Sequence, residues 1–343
     1  MTQVGDAYIR EQLEKRREEL NVAISSVEAD VSTAPFLQLL GEVDSAIERV
    51  DAGTYGVCLE CHGVIEKPRL LADPLVKVCL DCLTTDDRRA LEHDLELASS
   101  VQRGLLPDKA VSFGDWRIQY EYQPAGLISG DYCDVIVPRR AEGRLVFLLG
   151  DVSGKGVAAS LLMTHLHAMF RALSSPESGG PLELDKLMET ANRVFCESTL
   201  AGHYATLVCG WTGKSGEVEF ASAGHLPALL VRRDGVKQIG ATGLPLGMFS
   251  SSRYAVQRVR LEPGDSLLLY TDGISEAVSP TGQEYSPKKL ATVAGERHRW
   301  KPTELLTACM KDVKAHTGGA RPADDQTLMV IHRSETAGAT LVD

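Results

Sequence analysis

The sequence predicts an α+β chain: a helical hairpin and a cysteine-rich module, then a layered domain of antiparallel sheets covered by helices. Three observations carry this. Apolar residues before about position 50 recur at spacings of three, four and seven. Two CxxC pairs follow within residues 53–82. From residue 113 onward short apolar runs alternate with Gly, Pro or Asp turns, and helical segments are inserted in pairs.

Residues 5–31 read as the first helix, with Ile9, Leu13, Leu20, Ile24, Val27 and Val31 on one side and EKRREE as a solvated face. VSTAP breaks it. Phe36, Leu40, Val43, Ile47 and Val50 then recur at four-three-four-three, which predicts an antiparallel partner across a short turn. The Gly/Cys-rich module spans 53–82, and residues 1–83 are expected to form one domain. A connecting helix is expected over 84–106, with Leu91, Leu95, Ala98, Val101 and Leu105 on one side and Pro107 ending it. This stretch suits a rigid connector, a homodimer seam, or both. The layered domain is expected over 107–335, followed by a flexible tail at 336–343. Its strand signals include WRIQYEY, RLVFLLGDV, YATLVCGW, GEVEFASAG, PALLVRR, YAVQRVRLE, DSLLLYTD and QTLMVIHR. Its helices are expected near 157–173, 183–198, 287–296 and 302–316.

Across 343 residues the chain is 43% hydrophobic and 24% charged, the composition of an ordinary soluble protein. No apolar run approaches the length of a membrane span, and the N-terminal MTQVGDAYIREQLEKRREEL lacks the core of a secretory signal, so a cytoplasmic location without membrane attachment is the expectation. The net charge of −11 is uneven: residues 1–106 hold 11 basic against 20 acidic residues, the remainder 25 against 27. An acidic N-terminal third disfavours direct nucleic-acid binding and leaves a basic protein surface open as a partner.

The eight cysteines form two sets. Cys133, Cys196, Cys209 and Cys309 are scattered, mostly in apolar surroundings, as small core residues are. Cys58, Cys61, Cys79 and Cys82 form C-x₂-C-x₁₇-C-x₂-C. A tetrahedral structural Zn²⁺ takes four thiolates, and each CxxC supplies two from a tight turn. Gly56 and Gly63 flank the first pair where the backbone must bend. His62 stands beside the set without being needed, since four cysteines close the site. A redox dithiol or an iron–sulfur cluster are alternatives; two equal pairs with no open position favour zinc.

Four aspartates sit at the ends of apolar runs: Asp131 in SGDYCDV, Asp151 in VFLLGDVSGKG, Asp272 in SLLLYTDGISE and Asp324 in ADDQTLMVI. Carboxylates gathered in a dry site need cations to neutralise them. Hard divalent ions, two Mg²⁺ or Mn²⁺ in all-oxygen coordination, fit that donor set and hydrolyse phosphate esters. In SGKG, before the helix near Val157, glycines allow close backbone approach to an anion at a helix N-terminus. Lys155 is either a phosphate contact or a solvated turn residue. His225, in AGHLP, is either the acid for a leaving alkoxide or a hydrogen-bonded structural residue. Ser153 and Cys133 carry no spacing of a covalent nucleophile.

Two resemblances extend this. The order helix, helix, cysteine module, with VDSAIERVDAGTYGVC, IEKPRL and the paired cysteines, resembles the DksA/TraR family over residues 5–83. That family binds RNA polymerase through a coiled-coil tip bearing acidic residues. In this chain the turn at 30–35 offers Asp30, and the arms look short for that reach. The motifs SGDYCDV, GDVSGKGVAASLLM, ASAGHLPALL, LEPGDSLLLYTDGISEAVSPTGQEY and DDQTLMVI resemble the SpoIIE/RsbU branch of the metal-dependent PPM serine/threonine phosphatases over about residues 107–333. ELASSVQRGLLP resembles the helix that leads into that domain.

The second resemblance implies an αββα sandwich with two metals at one end. It makes Asp131, Asp151, Asp272 and Asp324 ligands, joined by the backbone carbonyl of Val152. It makes Asp325 a further ligand or the partner of a metal-held water, and Asp134 a residue that orients or satisfies nearby backbone. It implies a phosphorylated STAS-domain protein as substrate, in sigma-factor partner switching. Residues 84–106 are expected to transmit the state of the zinc module to Asp131 and Asp151 by a change of helix packing or dimer geometry. The alternative makes the chain an RNA polymerase-binding regulator with a passive C-terminal domain. A third reading makes the cysteines a redox or zinc sensor.

Overall fold

The computed structural model describes residues 3–26, 34–138, 144–174, 183–199, 202–296 and 300–335. The chain divides into two compact units, Met1–Asp94 and Leu95–Asp343. The division falls inside the connecting helix. The tail at 336–343 lies outside the described residues.

In the first unit, α1 (Gln3–Ser26) and α2 (Ala34–Asp51) run antiparallel. Arg10 pairs with Asp51 and Arg17 with Asp44, so positions advancing on one helix meet positions receding on the other. The apolar stripe does what its spacing requires: Ile9, Leu13 and Leu20 meet Val43, Ala46 and Ile47 in one core that continues to Tyr55, Ile65 and Leu70. The expected end of the first helix, with Val27 and Val31, and Asp30 at the tip lie outside the described residues. Beyond α2 come a turn around the first cysteine pair, α3 (Lys67–Ala72, started by Pro68) and a 3₁₀ turn at Leu80–Cys82.

Helix α4 (Thr85–Leu105) opens on a cap from Thr84, whose Oγ accepts from Asp87 N–H at 3.1 Å. The apolar side expected along it is largely exposed: Leu91 is 42% and Val101 58% accessible. Its buried residues are Ser99 and Gln102. The helix seats through polar groups because what lies beneath Gln102 is main chain, as shown below.

The second unit is a four-layer sandwich. One antiparallel sheet has the order β1 (Ala110–Phe113), β2 (Trp116–Gln123), β11 (Gln326–Arg333), β10 (Ser266–Tyr270), β7 (Ala228–Arg232), β8 (Gly235–Ile239). The other has the order β3 (Asp131–Ile136), β4 (Val146–Val152), β5 (Ala205–Thr212), β6 (Glu217–Ala223), β9 (Gln257–Arg260). Helices α5 (Val157–Leu173) and α6 (Leu184–Ser198) cover the second sheet, while α8 (Pro287–Gly295) and α9 (Pro302–His316) cover the first. The single turn α7 (Asp272–Ser275) follows β10.

Both faces of the central strands are buried, which is why they read as unbroken apolar runs rather than alternation. In β4, Phe147 and Leu149 enter the core between the sheets, while Val146 and Leu148 face α5 and α6. In β10, Leu267 and Leu269 face inward, and Leu268 and Tyr270 face α8 and α9. Each fully buried side chain of this kind contributes about 1.5–3 kcal/mol. The antiparallel registers bring the start of β3 beside the end of β4, and the end of β10 beside the start of β11. Those four strand termini carry the aspartates singled out above.

Candidate metal centre and active site

Asp131 lies directly opposite Asp151 across the β3–β4 ladder. Like charges so placed oppose the fold unless a cation intervenes. Asp131 is 1% exposed. Its Oδ2 accepts hydrogen bonds from Thr271 Oγ1 at 3.0 Å, just past the end of β10, and from Thr327 Oγ1 in β11 of the other sheet. The two sheet ends are therefore sewn together at this carboxylate. Its Oδ1 is buried with no hydrogen-bond partner. Burial, and then the charge of Asp151, pushes the Asp131 carboxyl well above its ordinary range.

The neighbouring acids share this stress. Asp151 is raised from 3.8 to about 7 by burial, then by Asp272, Asp324 and Asp325. Asp272 is raised by burial and then by Asp324. Asp272 begins α7, and the next residue explains how it reaches its neighbours. A Cβ on Gly273 would lie 2.1 Å from the Asp325 carbonyl oxygen, so only glycine lets α7 approach the Asp324–Asp325 backbone. Gln326 Nε2 locks the approach by donating to the Gly273 carbonyl at 2.8 Å.

Asp325 ties down a loop. Its Oδ1 accepts from Ala125 N–H at 2.7 Å and its Oδ2 from Gly130 N–H at 2.9 Å. Val152 closes β4 beside Asp151, with its carbonyl oxygen against Gly130. Lys155 forms an ion pair with Asp324 at 2.7 Å and donates to the Ala323 carbonyl at 3.0 Å. Its side chain is 66% exposed, so it stands at the mouth of the site. The centre grades from a fully buried carboxylate, Asp131, to partly exposed ones, which leaves it open at the end of the sandwich.

His225 is buried, with Nδ1 2.9 Å from Thr206 Oγ1. Thr206 faces Asp151 across β4 and β5. Burial lowers the imidazole to about 4, so it is neutral near pH 7, and its Nε2 is buried without a hydrogen-bond partner among the described residues. Asp134 takes another partner than backbone: it is fully buried and receives Arg171 from α5 bidentately, at 2.8 and 2.6 Å. Cys133 is buried in the core between the sheets.

In the first unit the four sulfurs of Cys58, Cys61, Cys79 and Cys82 lie within 4.8 Å of one another. Cys61 and Cys79 sulfurs are 3.6 Å apart. Tetrahedral thiolates about 2.3 Å from a zinc ion stand about 3.8 Å apart, so the set fits one ion. The knuckle is local: Cys58 N–H donates to the Gly63 carbonyl and His62 N–H to the Cys58 carbonyl, with His62 at φ 58°. The His62 side chain is exposed. Backbone N–H groups, that of Cys61 first, lower the Cys58 thiol to about 6. Among the described residues these thiols are the one group of His, Cys, Asp or Glu drawn so tightly; the carboxylates at the end of the sandwich are not gathered within that distance of one another.

Thr271, Thr327, Gly273 and Gln326 escaped the sequence reading. Thr271 in YTDG and Thr327 in DDQT were visible only as polar residues at the edges of apolar runs. Their role depends on a contact between strands far apart in sequence.

Comparison with known proteins agrees with this geometry. Residues 141–334 match the family Stage II sporulation protein E (SpoIIE), and residues 53–88 match the prokaryotic dksA/traR C4-type zinc finger. The chain is 25% identical over 266 residues to protein IcfG of Synechocystis, covering 70% of this chain but only 42% of that protein. It is 25% identical over 249 residues to the phosphoserine phosphatase RsbU of Bacillus subtilis, covering 72% of each. Its fold is similar to the SiaA-PP2C domain of Pseudomonas aeruginosa, with a TM-score of 0.62 at 18% identity, covering 73% of this chain and 98% of that one. The sandwich with acids at one end and the match across more than half of its length together place this chain in the SpoIIE family.

Proposed function

We propose that this chain is a metal-dependent protein serine/threonine phosphatase acting on a phosphorylated STAS-domain protein in sigma-factor partner switching. The observation that carries the reading is the buried, unpartnered Oδ1 of Asp131 among acids whose charges raise one another. The donors are all oxygen, which suits Mn²⁺ or Mg²⁺. Asp131, Asp151, Asp272 and Asp324, with the Val152 carbonyl, would hold the ions, and Asp325 would join them or steady a water. Two such ions would supply charge neutralisation and an activated water for attack on phosphorus.

The chain's own groups supply the rest. Thr271 and Thr327 fix Asp131. The N-terminus of α5, following SGKG, presents backbone N–H groups and partial positive charge to a phosphoryl oxygen. Lys155 at the mouth adds a mobile cation that exchanges Asp324 for the incoming phosphate. The similar RsbU is a phosphoserine phosphatase by name, which supports the substrate class.

Mn²⁺-dependent phosphate release from phosphorylated STAS proteins of the same organism, with Asp272→Ala as control, tests this. Loss of a ligand is expected to reduce release at least about a hundredfold. No release from any such protein, or full activity in Asp272→Ala, overturns the reading.

The four-cysteine site is proposed to hold one structural zinc and to influence the phosphatase through α4. In the full chain, Cys61→Ser is expected to lose zinc by mass spectrometry and to change turnover; unchanged turnover and Mn²⁺ affinity would remove the coupling. A second copy lying along exposed Leu91 and Val101 of α4 is the proposed dimer, checked by sedimentation of a Val101→Lys variant. The polymerase-binding alternative rests on Asp30, outside the described residues, and a pull-down with core polymerase decides it. Among the described residues no helix is long and apolar enough to cross a membrane.

A further inference from the structure

Gln102 is one of two buried residues on α4, and only 5% of it is accessible. Its carboxamide pairs both ways with the main chain of Ser129: Nε2 donates to the Ser129 carbonyl at 2.7 Å, and Ser129 N–H donates to Oε1 at 2.9 Å. A primary carboxamide offers a donor and an acceptor side by side, as a peptide does, so Gln102 takes the place of a missing strand neighbour. Nε2 also lies 3.3 Å from Ser160 Oγ on α5. Ser129 is wholly buried, so main-chain groups released from Gln102 would have no water to turn to.

What Gln102 grips leads directly to the carboxylate centre. Ser129 Oγ accepts from Asp131 N–H at 3.1 Å. The intervening Gly130 donates to Asp325 and accepts from Val152 N–H at 3.3 Å. A Cβ on Gly130 would stand 3.3 Å from both Ala159 Cβ and the Val152 carbonyl oxygen, so the segment is wedged between α5 and the end of β4. The three residues 129–131 are thus held by α4, by the strand end bearing Asp151, and by Asp325.

We propose that Gln102 is a positioning residue of the metal centre: its amide clamp fixes Ser129–Asp131 so that the Asp131 carboxylate, held by Thr271 and Thr327, is presented where it would ligate the ions. It touches no reacting atom. The inference rests on Asp131 being a ligand. It makes the set of α4 a determinant of metal affinity, because a helix turned by one residue carries the carboxamide about 100° away from Ser129.

The test uses the full-length chain. Gln102→Met keeps the length of the side chain and removes the clamp. Mn²⁺ binding is measured by titration calorimetry, turnover as a function of Mn²⁺, and amide exchange at Ser129–Asp131 by hydrogen–deuterium exchange. Mn²⁺ affinity is expected to fall about tenfold, as for outer partners of metal ligands, while turnover at saturating Mn²⁺ stays within about threefold of wild type. The Ser129 amide loses protection. Ser160→Ala, which leaves the clamp intact, is expected to change neither. Wild-type Mn²⁺ affinity with a protected Ser129 amide in Gln102→Met overturns the proposal, as does a fall in saturated turnover at unchanged affinity. Should the methionine variant fail to fold by tryptophan fluorescence, Gln102→Glu keeps the acceptor, loses the donor, and is judged by the same criteria. Asp131→Asn separates the two levels: undiminished Mn²⁺ binding there overturns the ligand reading itself, and the role of Gln102 with it.

Discussion

Asp151→Asn should make the metal-free protein more stable while disabling it. The Asp151 carboxyl stands at about 7 instead of 3.8, from burial first and then from Asp272, Asp324 and Asp325. A folded-state value above the unfolded one means that folding favours the protonated acid. The stability it contributes is whole below about 3.8 and is lost as pH rises through about 7. At about 1.36 kcal/mol per tenfold in proton affinity, that separation is worth about 4 kcal/mol, and partial exposure to water reduces it to about 2–4 kcal/mol. Asparagine has the same shape and no charge. In EDTA the variant should therefore exceed wild type by about 2–4 kcal/mol at pH 8 and by nearly nothing at pH 4. All three tryptophans, Trp116, Trp211 and Trp300, lie in the second unit, so their fluorescence in urea follows this unit alone. Mn²⁺ at a hundred times its Kd should add about 2.7 kcal/mol to wild type and far less to the variant. A variant no more stable than wild type at pH 8, or a difference that does not change with pH, would refute the claim that these acids oppose the fold.

Gly273→Ala places a methyl group against the Asp325 carbonyl and should cost about 1–3 kcal/mol, read by urea unfolding, together with weaker Mn²⁺ binding in calorimetry. Arg171→Met removes the bidentate cation from buried Asp134 and leaves it, among the described residues, only the Tyr132 hydroxyl at 3.3 Å and His167 at 3.5 Å. Arg171 is 41% exposed, so water replaces part of the pair, and the loss should be about 2–3 kcal/mol, largely restored in the Asp134→Asn, Arg171→Met double variant. His225 has a folded-state value, about 4, below its ordinary 6.5, so the stability it supports is present above pH 6.5 and lost as pH falls through about 4. His225→Asn should lose that acid-sensitive share of stability in urea melts from pH 4 to 7 while leaving the alkaline limb of the pH–rate profile in place; a leaving-group acid must be protonated to act, so a shifted alkaline limb would make His225 that acid.

Elements whose cause is local were legible in the sequence. The helix over 157–173 was set by apolar spacing and coincides with α5, and those at 287–296 and 302–316 open on the proline-led starts of α8 and α9. The cysteine knuckle follows from spacing, since a CxxC turn closes within six residues. Helix α4 shows where this fails. Its apolar side suggested burial, yet the helix is seated by Ser99 and Gln102, because burial is decided by the surface met and not by the helix alone.

The amino-acid order by itself determined the helices, the doubly buried strands, the four-thiol site and which acids stand at strand ends, since each depends on residues within a turn or a strand of one another. Only the tertiary structure decided that Thr271 and Thr327 hold Asp131, that Gly273 admits Asp272 to the backbone of Asp325, and that Gln102 grips Ser129. Those contacts join segments separated by 27 to 196 positions. A side chain carries no local mark of a partner that only the packing of two sheets brings within reach.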